Sequence, residues 1–187
     1  MITTGQGLAK RSALLLLVGC LCSGLLTGLA KPWKRHTIDS SSKAAGKLGA
    51  DGVRLADVNG DGLLDITTGW EQGGAIVVYQ NPGPAKARAA WPSVTVGRVV
   101  SPEDAMFIDL DNDGNLDVVS SCEGSARTMY IHWAPPKRGD YWKPSVWRTE
   151  AIPATKGKQL WMFAAPAQLD DRGAAELFVS SKGANAS

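Results

Sequence analysis

The sequence predicts an all-β fold of repeated four-stranded antiparallel units, and three observations carry that expectation. An acidic nonapeptide, Asp57-Val58-Asn59-Gly60-Asp61-Gly62-Leu63-Leu64-Asp65, returns 52 residues later as Asp109-Leu110-Asp111-Asn112-Asp113-Gly114-Asn115-Leu116-Asp117. Each copy lies between short apolar runs rich in β-branched residues, which read as strands. The likeness also continues past the second strand through two more, so a fixed period organises the chain before any local reading is made.

In the first unit the strands are predicted at Val53–Ala56, Asp65–Gly69, Ala75–Tyr79 and Val94–Val99, with Pro82, Pro84 and Trp91 between the last two. In the second they fall at Ala105–Ile108, Asp117–Ser121, Thr128–His132 and Val146–Ala151, with Pro135 and Pro136 in the corresponding loop. A third unit begins at Gln159, with strands at Leu160–Ala167 and Leu177–Ser181 around the loop Gln168 to Glu176. There Arg172 stands where the others carry an acid, so this loop is expected to keep its turn and lose its ion, the guanidinium supplying positive charge from within. Ahead of the first unit, Trp33–Ile38 matches the aromatic-then-β pattern of the fourth strands. It reads as a strand that completes the last unit of a ring, the plainer alternative being a ragged leader.

Four-stranded units arranged radially are blades of a β-propeller, which closes with roughly four to eight of them. The expected fold is therefore a partial β-propeller: about two complete blades, part of a third and an N-terminal strand, the N-terminal fragment of a longer protein. The expected divisions are 1–30 (leader), 31–47 (outer strand and linker), 48–101, 102–153 and 154–187 (blades).

The two acidic loops share a chemistry. Oxygen-bearing side chains occupy positions 1, 3, 5 and 9, and glycine occupies position 6. Alternate residues of a tight loop can aim their oxygens at one point, which is what a hard cation needs from its six to eight ligands. The candidate ligands are Asp57, Asn59, Asp61, Asp65 and the Leu63 carbonyl in one copy, and Asp109, Asp111, Asp113, Asp117 and the Asn115 carbonyl in the other. Like charges about 5 Å apart at an effective dielectric near 20 repel by about 3 kcal/mol per pair. A divalent cation turns that repulsion into attraction. About two calcium ions are expected. Decorated hairpin turns are the bland alternative.

Residues 1–30 stand apart from the repeats. Lys10 and Arg11 precede an apolar run from Ser12 to Leu29, and Gly28 and Ala30 suit cleavage before Lys31, the pattern of a secretory signal peptide. An uncleaved anchor and a lipoprotein with Cys20 modified are the alternatives. Without this segment Lys and Arg fall from 20 to 18, matching the 18 acidic residues, and no basic face points to nucleic acid. Of three cysteines only Cys122 remains, which excludes a disulfide framework. It is expected half-buried at a strand end and not a nucleophile.

The motifs Asp57-x-Asn59-Gly60-Asp61-Gly62-x-x-Asp65 and Asp109-x-Asp111-x-Asp113-Gly114-x-x-Asp117, each between short strands, resemble the FG-GAP or VCBS repeats of secreted bacterial proteins. They are also similar to the calcium-loop blades of integrin α-subunits. The resemblance covers about residues 48–183 and implies a propeller whose calcium sits in the loop joining the first and second strands of a blade. The Phe-Gly and Gly-Ala-Pro signatures are not present as such, and the third loop departs from the acidic pattern. The family's biochemistry is diverse, so fold alone does not assign function.

Two functions are weighed. The first is a non-enzymatic, calcium-stabilised scaffold, secreted, periplasmic or at the cell surface, that binds protein or carbohydrate and has no membrane span once the leader is cleaved. Trp70, Glu71, Glu123 and Lys182 follow the second strands and are expected to form its binding surface, a solvated rim being the alternative. The tryptophans Trp91, Trp142 and Trp147 are expected between blades. The second function is a hydrolase or lyase on polysaccharide or phosphate ester, with catalytic residues partly beyond this fragment. The chain shows no Gly-x-Ser-x-Gly elbow, His-Glu-x-x-His or phosphate-cradling loop, and its two histidines, His36 and His132, fall in predicted strands.

Overall fold

The computed structural model describes residues 34–170, 172–173 and 175–183. The expected leader, Cys20, Trp33 and the C-terminal Asn185-Ala186-Ser187 lie outside them. Alternating apolar residues build ten strands. The first blade is β1 (Ala50–Ala56), β2 (Asp65–Trp70), β3 (Ala75–Tyr79) and β4 (Ser93–Arg98), hydrogen-bonded in that order. The second is β5 (Pro102–Ile108), β6 (Asp117–Cys122), β7 (Met129–Trp133) and β8 (Arg148–Ala151), again in sequence order. The third sheet pairs β9 (Leu160–Ala167) with β10 (Glu176–Lys182). All neighbouring strands run antiparallel.

The first strands of the three sheets lie side by side, β1 against β5 and β5 against β9, while the outer strands β4 and β8 also approach each other. That is the radial arrangement of propeller blades, and the chain is an all-β partial propeller. Period-2 side-chain alternation explains how the blades stack. On β5, Ala105 and Phe107 face the first blade and share a cluster with its Ile76, Val78, Val94 and Val96 and with Tyr141 of their own blade. Their neighbours Met106 and Ile108 face the third sheet and pack with Val119, Met129 and Ala164. β3 and β5 are buried along their whole lengths, β3 as an unbroken apolar run and β5 with Glu103 and Asp104 buried near its start.

The blades are also pinned electrostatically. Arg54 on β1 grips Asp104 on β5 with Nε to Oδ1 at 3.1 Å and a second nitrogen to Oδ2 at 2.7 Å, and Asp104 is buried. Gly52, in the left-handed region at φ 58°, lets the strands come this close, because a Cβ there would collide with the Asp104 carboxylate.

Several expectations are corrected. Residues 34–38 form no strand; the Ile38 carbonyl instead accepts a hydrogen bond from the Trp91 amide at 2.9 Å, and His36 is accordingly not in a strand. With only one carbonyl engaged there, no ladder can propagate. The fourth strand of the second blade starts at Arg148, not Val146, because Pro144–Val146 makes a 3-10 turn and Trp147 turns inward to donate to the Tyr141 carbonyl at 2.8 Å. Trp142 and Trp147 pack between the first two blades, whereas Trp91 packs on the opposite face of the first blade beside Trp70, Val77 and Tyr79. Cys122 is fully buried, not half-buried, and burial pushes its thiol up to about 12.

Candidate metal centre

Both acidic loops are the short connections between first and second strands, β1–β2 and β5–β6. Their turns need left-handed backbone at two places. Position 6 has φ 81° at Gly62 and 84° at Gly114, and position 4 has φ 78° at Gly60 and 59° at Asn112. The second requirement is absent from the sequence reading, although Gly and Asn are the residues that accept such a φ. The third loop keeps the turn where it is described, with Gly173 at φ 65°.

Position 9 closes each loop. Asp65 accepts hydrogen bonds from the Val58 amide at 3.1 Å and the Asn81 amide at 2.8 Å, and Asp117 accepts from Leu110 at 3.1 Å and Ala134 at 2.8 Å. Each carboxylate thus staples its loop to the exit of the third strand. Burial raises both acids, Asp117 to about 6, where the charges of Asp111 and Asp113 add to the effect. Glu176 repeats half of the staple, taking the Leu169 amide at 3.0 Å.

The two loops differ at position 1. Both oxygens of Asp57 are taken by backbone amides, Oδ1 by Gly60 at 2.7 Å and Oδ2 by Gly62 at 2.9 Å, and these bonds hold its carboxyl below the ordinary range. In the second loop Oδ2 of Asp109 receives the Gly114 amide at 3.0 Å, but its Oδ1 is buried without a partner. Carboxylate oxygens of Asp109, Asp111 and Asp117 lie within 4.8 Å of one another. A buried carboxylate oxygen with no donor is costly unless a cation faces it. The donor set is all oxygen, so the residues of the second loop could hold a hard divalent cation. Arg138 also belongs to this region: it donates to the Gly114 carbonyl at 3.0 Å, and a Cβ on Gly60 would lie 3.2 Å from its guanidinium. It therefore reaches from one loop to the other.

The residues expected to share a surface are brought together in part. Trp70 is not on it: the ring is buried and donates from Nε1 to the Tyr79 hydroxyl at 3.1 Å, because its alternation places it on the blade face it shares with Val77, Tyr79 and Trp91. Glu71, Glu123 and Lys182 do gather where the inner strands begin. Lys182 pairs with Glu123 at 2.5 Å, and the Glu71 carboxylate stands within 4.8 Å of Asp51 and Glu103. Asp51 and Glu103 are absent from the sequence reading, yet they are separated by the same 52 residues as the loops. Burial and the neighbouring Glu123 push Glu103 up to about 7, while Lys182 draws Glu123 down.

His132 is fully buried between the Ser120 and Thr149 hydroxyls, each 2.9 Å from a ring nitrogen, and burial lowers it to about 3. It lies against Gly97 of the first blade, where a Cβ would collide with the ring. Sealed there, it offers no base to a substrate arriving from solvent.

A family model described as FG-GAP-like repeat matches residues 57–120, from the first position of the first acidic loop through the second loop and into β6. No curated protein matches the chain.

Proposed function

On a chain that carries FG-GAP-like repeat sequence through both acidic loops, we propose a secreted, periplasmic or cell-surface scaffold that binds calcium structurally and offers its blades to a protein or carbohydrate partner. The buried, unpartnered Oδ1 of Asp109 carries this reading, because it stands in the group formed with Asp111 and Asp117. An ion there satisfies that oxygen, offsets the repulsion among the acids and fastens β5 to β6. The first loop holds a second ion with Asp57, Asn59, Asp61, Asp65 and the Leu63 carbonyl. Extracellular calcium modules work at dissociation constants of about 0.1–1 mM, which suits an exported protein.

Titration calorimetry of the full chain tests this. Two calcium ions are expected for the natural sequence, one for Asp113→Ala and one for Asp61→Ala. Unchanged stoichiometry in the double variant would refute the assignment.

A further inference from the structure

The two acidic loops are held by their own blades to different degrees. In the second blade, the connection between β7 and β8 bonds to each of the successive loop positions 6 to 9. Arg138 donates to the Gly114 carbonyl at 3.0 Å, the Asn115 side-chain amide donates to the Pro136 carbonyl at 3.3 Å, the Tyr141 hydroxyl donates to the Leu116 carbonyl at 2.9 Å, and the Ala134 amide donates to Asp117 at 2.8 Å. In the first blade a single residue of the corresponding connection serves two positions. Asn81 donates its backbone amide to Asp65 at 2.8 Å and its side-chain amide to the Leu64 carbonyl at 3.0 Å. Among the described residues, no hydrogen bond runs from that connection to Gly62 or Leu63. Burial follows the bonds: Asn115 is 6% exposed and Leu116 packs on the cluster between the first two blades, whereas Leu64 is 53% exposed.

Tyr141 anchors the arrangement. Its buried ring meets Trp142 and Trp147 edge-on, and its carbonyl accepts from Trp147 Nε1 at 2.8 Å. A hydroxyl carried on a close-packed ring stays where the core puts it, and the Leu116 carbonyl is fixed with it. The first blade has no counterpart. Asn81 and Ala134 are equivalent, each donating to the position-9 acid, yet seven residues beyond Asn81 stands the exposed Arg88, where the second blade carries Tyr141.

We propose that the β7–β8 connection from Ala134 to Tyr141 is a clamp that positions the second loop for calcium, and that the first loop lacks it. The candidate ligands at positions 7 and 9, the Asn115 carbonyl and Asp117, lie within the clamped stretch. Holding them before the ion arrives removes ordering entropy from the binding step. Such coupling is reciprocal, so a segment that favours the ion is stabilised by it in turn. Calcium in the second loop therefore steadies the β7–β8 connection, where the amides of Asp140 and Tyr141 bond to the carbonyls of Lys137 and Arg138. This inference rests on the ion reading and names the residues that make one site differ from the other.

The test titrates calcium alone into the full chain by calorimetry, the second site being isolated by Asp61→Ala and the first by Asp113→Ala. Tyr141→Phe keeps the ring and removes only the hydroxyl. Arg138 is the less selective target, because its guanidinium also lies beside Gly60 of the first loop. Tyr141→Phe should weaken the second site about threefold or more, the scale of one lost hydrogen bond, and leave the first site unchanged. Hydrogen exchange of the natural chain, with calcium and with chelator, gives an independent readout. The amides of Ala134, Asp140 and Tyr141 should slow on calcium binding by a larger factor than those of Asn81, Lys86 and Ala89. Equal second-site affinity in Tyr141→Phe, equal loss at both sites, or equal slowing in the two connections overturns the clamp and leaves the ion reading standing. Absence of calcium binding by the natural chain removes both.

Discussion

The first and second acidic loops have the same spacing, the same turn and the same position-9 staple, yet they hold their first acid differently. Asp57 is satisfied by the backbone of its own loop, whereas Asp109 keeps one buried oxygen without a donor. A repeat can thus preserve its geometry while the demand for an ion varies between copies. The second loop has more carboxylates, four against three, and one of them keeps a buried oxygen without a donor. The loops should therefore differ in affinity, the second being tighter.

The largest expected effect removes what the loops share. Asp117→Ala leaves the part-buried amides of Leu110 and Ala134 without this acceptor and should cost about 2–4 kcal/mol. Asp65→Ala should cost a similar amount through Val58 and Asn81. Denaturant unfolding measured in chelator decides the point: if either loss vanishes without calcium, the position-9 acid is an ion ligand only and the staple is wrong.

Next comes the property that should separate the loops. At 100-fold excess over its dissociation constant, an ion that binds only the folded chain adds about 2.7 kcal/mol, or about 5–10 °C in melting temperature for a chain of this size. Asp109→Asn should abolish most of the calcium-dependent shift, and Asp57→Asn should abolish less of it. Melting curves with calcium and with chelator report both, and equal losses would erase the contrast between the loops.

The acids at the start of the inner strands sharpen the comparison from outside. Glu103 sits near Asp51, Glu71, Glu123 and Lys182 and is raised to about 7. A carboxylic acid with a raised folded value favours its protonated form, so its contribution is present below the ordinary range of a glutamic acid and is lost as pH rises through about 7. Stability in chelator should fall from pH 5 to pH 8, and Glu103→Gln should flatten that fall. A flat natural profile would place Glu103 in a more polar setting than the fold gives it.

The smallest effect concerns position 4. Gly60→Ala imposes a side chain on left-handed backbone and should cost about 1 kcal/mol, while Asn112→Gly should change stability by less, since glycine accepts the same φ. Opposite ranking in thermal unfolding would mean that the two turns are not equivalent.

Much of the fold was legible because its signals are local. Ala75–Tyr79 coincides with β3, since a β-branched apolar run between Gly74 and Pro82 admits few other readings, and Leu160–Ala167 coincides with β9 by its place in the repeat. Residues 34–38 were misread because an aromatic-then-β pattern states a propensity, and a strand also needs a partner edge. Trp70 was misplaced for a related reason: it was taken to follow the second strand, but β2 extends through it and the register with Ala75 carries it into the core.

By itself, the sequence determined the repeat, the strand alternation and the oxygen-bearing positions of the loops, because each depends on residues a few places apart. Only the tertiary structure decided which acid keeps an unanswered oxygen and that Glu103 is buried beside Glu123. Those outcomes depend on backbone amides, neighbouring blades and cross-strand registers. Linear spacing does not contain the desolvation and contact that leave one aspartate oxygen unanswered while its counterpart is satisfied by its own loop.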